Sequence, residues 1–195
     1  MTDALSLGAP PDDAARGPRS GPILEVVDAT LGGAFERLRG QQGADEAAAI
    51  VSNLSDYGLI WAVIALFKAR RRGPRRTDAL QALAAAGVLS WGVNKLVKIA
   101  IDRGRPTTPR PQGTIRLPVR PPSTSSFPSG HTLAAFAAGT LLAENKTEAA
   151  AFVGIATAVG VSRVHLGDHH PSDVVGGAVI GTVIGLMARS LLRRR

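Results

Sequence analysis

Five apolar segments recur along the chain, at Ala47–Phe67, Ala79–Ile101, Thr132–Ala143, Ala149–Val161 and Val174–Leu192, each rich in Ala, Val, Leu, Ile and Gly. The longer ones approach the ~20 residues that an α-helix needs to cross a bilayer core. Asn53, Asp56, Asn94, Lys95 and Lys98 interrupt the first two, and the third and fourth are short for spans, so a soluble helical bundle competes with a membrane bundle. Ahead of them, Ile23, Val26, Val27, Leu31, Ala34 and Leu38 fall near helical spacing, with Glu25, Asp28, Glu36 and Arg37 off that stripe. This pattern predicts an amphipathic helix lying on the membrane surface, too short and too charged to cross it. Residues 1–21 carry Pro, Gly, Asp and Ala with no apolar period and read as a disordered tail, leaving residues 22–195 as one domain. No apolar core follows a basic start, so no signal peptide is read. The predicted fold class is all-α, a membrane-embedded bundle of about five spans with an interfacial N-terminal helix.

Charge sharpens this picture. The 195 residues hold 23 Lys and Arg against 15 Asp and Glu, a net of +8, which by itself would suit nucleic acid. By position, however, residues 1–56 hold nine acids and four bases, a net of −5, and residues 57–195 hold six acids and nineteen bases, a net of +13. Most of those bases sit at the ends of apolar segments. Lys68, Arg70, Arg71, Arg72, Arg75 and Arg76 form a hinge; Arg103, Arg105, Arg110, Arg116 and Arg120 lie along a Pro-rich loop; Arg189, Arg193, Arg194 and Arg195 close the chain. With five crossings, the hinge, the link Glu144–Thr147 and the C-terminus share one side, which the excess of Lys and Arg marks as cytoplasmic. The loops 102–130 and 162–172 then face outward. The implied partner is the bilayer, not nucleic acid. The absence of Cys excludes disulfide scaffolds, Cys-ligated metals and thiol catalysis.

All four histidines lie between 131 and 170, in or beside the outward loops. Lys98 is followed seven places later by Arg105 and Pro106; then come Pro128-Ser129-Gly130-His131, and later Ser162-Arg163 with His169 and Asp173. Seven positions are about two helical turns, so Lys98 and Arg105 can point along one face at the outer end of the second span. With Arg163 they supply three cations, enough to neutralise a phosphoryl group. Ser129 suits a helix N-cap, Gly130 permits close backbone approach, and free amides at a helix start attract anions. Pro171 fits the first turn of the last helix, and Asp173, four residues beyond His169, is placed to accept a proton from one ring nitrogen and leave the other free for attack. A divalent metal held by His165, Asp168, His169, His170 and Asp173 is the rival reading. Pro171 breaks the helix that it requires, and Lys98, Arg105 and Arg163 would crowd a cation.

The pattern K-x6-R-P, P-S-G-H and S-R-x5-H-x3-D, carried here by Lys98–Pro106, Pro128–His131 and Ser162–Asp173, resembles the three-part signature of the type 2 phosphatidic acid phosphatase (PAP2) family, with each defining position present. The compact chain resembles bacterial members, and 19 Arg against 4 Lys fits a GC-rich genome. The resemblance implies a membrane lipid phosphatase that uses neither metal nor cofactor. Lys98, Arg105, Ser129, Gly130 and Arg163 would hold the substrate phosphate, His169 would attack phosphorus to form a phosphohistidine, His131 would protonate the leaving oxygen, and Asp173 would orient His169. His165 and His170 fall outside the signature and are expected to be loop or rim residues, with Asp168 hydrating or capping the loop. A lipid phosphate is the implied substrate, a polyprenyl diphosphate ahead of phosphatidic acid or phosphatidylglycerophosphate. The vanadium-dependent haloperoxidases share a similar pocket but are larger and soluble, and a noncatalytic lipid-binding protein would not need the whole signature.

Overall fold

In the computed structural model, residues 21–70, 76–112 and 125–193 are described. The tail 1–20 and Arg71, Arg72, Arg75, Arg116, Arg120, Arg194 and Arg195 lie outside the described residues. Seven α-helices follow in order: α1 (Pro22–Glu36), α2 (Gln42–Ser55), α3 (Leu59–Arg70), α4 (Arg76–Ala100), α5 (Gly130–Leu142), α6 (Lys146–His165) and α7 (Pro171–Arg193). No strand occurs among the described residues. Pro22 and Pro171 each stand in a first helical turn, where the missing amide costs nothing and the fixed φ favours helix.

The first apolar segment is not one straight helix. A 3₁₀ turn at Asp56–Gly58 separates α2 from α3, which meet at 60°. Gly58 takes φ +69, a left-handed value that a side chain would penalise, and the polar Ser55 and Asp56 stand just before it. Among the described residues, α4, α6 and α7 are long and apolar enough to cross a membrane, and the bent pair α2–α3 passes the same test as one broken span. At 13 residues, about 20 Å, α5 is shorter than a hydrocarbon core.

α5 forms the centre of the bundle, packed most closely against α7 and then against α6 and α4. Glycines at four-residue spacing on α7 allow that approach. A Cβ at Gly177 would lie 2.7 Å from the Ser129 carbonyl oxygen, one at Gly185 would lie 2.7 Å from that of Ala137, and at Gly181 the Leu133 carbonyl is closer still. Small residues let helix backbones touch in a bilayer, where packing replaces the hydrophobic effect as the driving force. Trp61, Ala65, Ala135, Ala138, Leu142, Ala156 and Val159 form the main core cluster, where the Trp61 and Phe152 rings meet edge to face at 5.8 Å. Val63, Phe67, Val88, Leu96, Ile99, Val179, Val183 and Met187 are exposed apolar side chains on α3, α4 and α7, the surface that a helix presents to lipid.

The link between α5 and α6 is fixed by local polar contacts. Asn145 caps α6 by accepting from the Glu148 amide at 2.9 Å, and Lys68 pairs with Glu144 at 2.9 Å and Glu148 at 2.6 Å. The basic end of α3 and this link therefore share one end of the bundle. The three signature motifs gather at the other.

Candidate active site

Two turns bring the motifs together. At the end of α6, Gly167 adopts φ +75, and the amides of Asp168 and His169 both donate to the Arg163 carbonyl, at 3.0 and 3.3 Å. The chain thus curls over Arg163 before Pro171 starts α7. The Ser129 amide donates to the Asp173 carbonyl at 2.9 Å, joining the start of α5 to that of α7.

A cavity of about 340 Å³ opens at this end, and Lys98, Arg105, Gly130, His131, Arg163 and His169 all line it. Trp61, Trp91 and Ala134 supply apolar wall beside them. Lys98 is anchored by donating from Nζ to the Ser125 carbonyl at 2.7 Å, and Arg105 donates from Nη1 to the Asp168 carbonyl at 2.7 Å. Arg163, 5% exposed, donates to the Ser52 hydroxyl at 2.5 Å and pairs with Asp168 at 3.0 Å. Three cations around one small cavity give it a positive potential.

Ser129 and Asp173 stand behind the wall, both wholly buried. Ser129 occupies the N-cap position of α5, but its side chain makes no capping bond; its hydroxyl accepts from Thr132 Oγ1 at 3.0 Å. Asp173 Oδ2 lies 3.5 Å from His169 Nδ1 and accepts from the His170 amide at 2.8 Å. His169 is 4% exposed, and burial pushes its imidazole down to about 4; the Asp173 carboxylate opposes this, while the Arg105 and Arg163 charges add to it. A neutral ring with one nitrogen turned to a carboxylate keeps a lone pair on the other.

Several residues of this site have no place in the motifs. Arg103, 6% exposed, donates to Asp173 Oδ1 at 2.6 Å and to the Ser172 hydroxyl at 2.7 Å, and it also pairs with Asp28 of α1. Asp28 in turn accepts from the Ser172 amide at 2.8 Å. Asp56 Oδ1 lies 2.8 Å from His131 Nε2. Asp168 is more than a loop cap, since its carboxylate sits between Arg163 and, at 3.6 Å, Arg110. The expectation that His165 is a loop or rim residue is corrected: it ends α6, is 4% exposed and pairs with buried Asp45 at 2.7 Å. Arg39 holds the same turn by donating to the Val164 and His165 carbonyls at 2.8 and 2.9 Å. His170 lies in the loop before α7, half-buried, with Nδ1 3.3 Å from Asp173. The sequence signals for these residues are slight: Asp28 falls off the apolar stripe of α1, and Asp56 interrupts the first apolar segment.

Among the described residues no three His, Cys, Asp or Glu side chains converge as a metal site. A family model described as the PAP2 superfamily matches residues 77–195. The chain belongs to the PAP2 superfamily. Among its relatives, the decaprenylphosphoryl-5-phosphoribose phosphatase of Mycobacterium tuberculosis (strain ATCC 25618 / H37Rv) is 33% identical over 141 residues, covering 72% of this chain and 76% of the relative. The lipid A 1-phosphatase of Rhizobium johnstonii is 31% identical over 177 residues, 78% of this chain and 72% of that one. A crystal structure of a transmembrane PAP2 type phosphatidylglycerolphosphate phosphatase from Bacillus subtilis shares the fold, with a TM-score of 0.72, 23% identity and coverage of 90% and 89% of the two chains. This PAP2 chain is a membrane lipid phosphatase, an enzyme that hydrolyses a phosphate ester or diphosphate of a lipid.

Proposed function

We propose that this enzyme removes the terminal phosphate of a polyprenyl-anchored lipid, from the outer face of the cell membrane, through a phosphohistidine. The observation that carries the reading is a cavity at one end of the bundle that Lys98, Arg105, Arg163, His131 and His169 line together. Lys98, Arg105 and Arg163 clamp the phosphate oxygens with Ser129 and Gly130 at the start of α5. His169 attacks phosphorus from Nε2, with Asp173 fixing the ring from the Nδ1 side. His131 gives a proton to the leaving oxygen, and water then releases phosphate from His169. Charge that spreads over the phosphoryl oxygens in the transition state meets fixed cations in a partly dry site, where they act most strongly.

Orientation and carrier rest on separate supports. The end of the bundle opposite the motifs carries Lys68, Arg70 and Lys146, and this excess of bases supports reading the cavity as extracytoplasmic. The decaprenylphosphoryl-5-phosphoribose phosphatase relative favours a polyprenyl carrier over phosphatidic acid or phosphatidylglycerophosphate. Within that class we keep a diphosphate as the first substrate and a phosphomonoester on a polyprenyl-linked sugar as the second.

The test is phosphate release by the purified full chain in detergent from each of these four lipids, with and without a chelator. Release from a polyprenyl substrate that survives chelation, disappears in His169→Ala and leaves an acid-labile phosphoenzyme in rapid-quench samples is the expected result. Undiminished release in His169→Ala overturns the nucleophile, and a preference for phosphatidic acid overturns the carrier.

A further inference from the structure

The contact between Asp56 and His131 joins residues 75 positions apart and belongs to none of the three motifs. Asp56 opens the 3₁₀ turn between α2 and α3. Its side chain is 11% exposed, that of His131 is 31% exposed, and the flanking Ser55 and Gly58 line the same cavity as His131. A carboxylate at 2.8 Å commits Nε2 of the ring, so Nδ1 is the nitrogen left to exchange a proton inside the cavity. The setting makes that carboxylate consequential. Lys98 from α4, Arg105 from the following loop, Arg163 from α6 and His169 before α7 line the cavity with His131, so the carboxylate of Asp56 is the acidic group that holds this ring among cations.

We propose that Asp56 is the positioning residue of the general acid: it accepts from His131 Nε2–H and aims Nδ1–H of the imidazolium at the leaving oxygen. This rests on the reading of His169 as nucleophile and His131 as acid. As the His169 Nε2 lone pair forms the bond to phosphorus, the bond from phosphorus to the leaving oxygen breaks. Its electron pair stays on that oxygen, and the His131 Nδ1 proton moves there. His131 is left neutral, with the Nε2 proton still donated to Asp56 and a lone pair on Nδ1. In the second half, that lone pair takes a proton from the water that attacks phosphorus. The phosphorus–nitrogen bond then returns its electrons to His169, and imidazolium is restored. Asp56 stays ionised throughout, in the manner of the carboxylate of a hydrolytic triad.

The leaving group tests this directly. An aryl phosphate such as p-nitrophenyl phosphate expels a stable phenolate and needs little help from an acid, whereas a long-chain alkyl phosphate expels an alkoxide and needs a proton. Asp56→Asn is expected to lower kcat on the alkyl phosphate by about 10²-fold and on the aryl phosphate by less than about 5-fold, with Asp56→Glu recovering part of the loss. In a His131→Asn background the Asp56→Asn change is expected to cost nothing further on either substrate. Equal losses on both substrates, no loss on either, or an undiminished cost in the His131→Asn background overturns the proposal. A wild-type enzyme that releases phosphate from neither ester overturns the proposed function instead.

Discussion

The stretch Lys98–Asp173 and the stretch Pro22–Gly58 meet at the same cavity with opposite kinds of residue. The first supplies the charged and titratable lining of the cavity: Lys98, Arg105, Arg163, His131 and His169. The second supplies what stands behind those groups: Asp28 on Arg103, Ser52 on Arg163, Asp56 on His131, and Asp45 on His165 at the turn that carries Arg163. The net of −5 in residues 1–56 and +13 in the remainder is therefore more than membrane topology. Acidic side chains of the first part hold basic side chains of the second. A cluster of cations repels itself, and in a partly dry site that repulsion is strong, so counter-charges placed away from the cavity keep the cluster open for an anion without filling it. The family model begins at residue 77, so the second stretch lies outside the region it matches, while the cavity wall includes residues of both.

The most damaging change is expected at the link between the two stretches. Arg103→Leu leaves buried Asp173 and half-buried Asp28 without their shared cation, and breaking a buried ion pair from one side costs about 3–5 kcal/mol. The expected outcome is a large fall in thermal unfolding midpoint in detergent together with loss of phosphate release. Arg103→Lys, which keeps the charge, falls between. Arg163→Ala comes next. It removes a cation from the cavity wall, and losing one such group typically lowers kcat by about 10²–10³. Steady-state kinetics separate the two cases, since Arg163→Ala is expected to fail in turnover more than in folding.

How much of this is legible from the chain follows from the kind of spacing involved. His169 and Asp173 are four residues apart, so a periodicity argument finds the pair, and Pro171 between them marks where α7 must begin. The extents of α4, α5 and α7 likewise track their apolar segments to within a few residues. Asp56 and His131 lie 75 residues apart, Asp45 and His165 120, and Asp28 and Arg103 75. Such pairs are made by helix packing, and no local pattern encodes them. In the sequence Asp56 is only a polar interruption of an apolar segment; the 60° bend between α2 and α3 comes at Gly58, whose positive φ is a property of the folded backbone. Arg103 looked like one more arginine in a basic loop because charge composition cannot tell a cation aimed at substrate from one aimed at a carboxylate.

The buried histidine sharpens the comparison by pH. With its folded value near 4 and an ordinary value of 6.5, His169 binds a proton more readily in the unfolded chain, so stability rises with pH across that window and falls as pH drops through it. The contribution is about 2 kcal/mol between pH 7 and pH 5. Thermal unfolding in detergent at a series of pH values should show this fall in the wild type and a flatter curve in His169→Gln. An equally steep curve in the variant would move the effect to another group.

The smallest effect expected is at Ser52, the neutral member of the supporting stretch. Its hydroxyl, 1% exposed, accepts from Arg163 Nη1, and a hydrogen bond to a charged group contributes about 1.5 kcal/mol at the low end, roughly tenfold in kcat/KM when lost. Ser52→Ala should therefore cost about tenfold where Arg163→Ala costs a hundredfold or more, because the guanidinium keeps its ion pair with Asp168 at 3.0 Å and stays in the cavity wall. Ser52→Thr, which keeps the hydroxyl, should recover most of the loss. A Ser52→Ala enzyme as impaired as Arg163→Ala would mean that the first stretch sets the cation's position outright, with Asp168 unable to hold it alone, and the boundary between facing and supporting residues would have to be redrawn at Ser52.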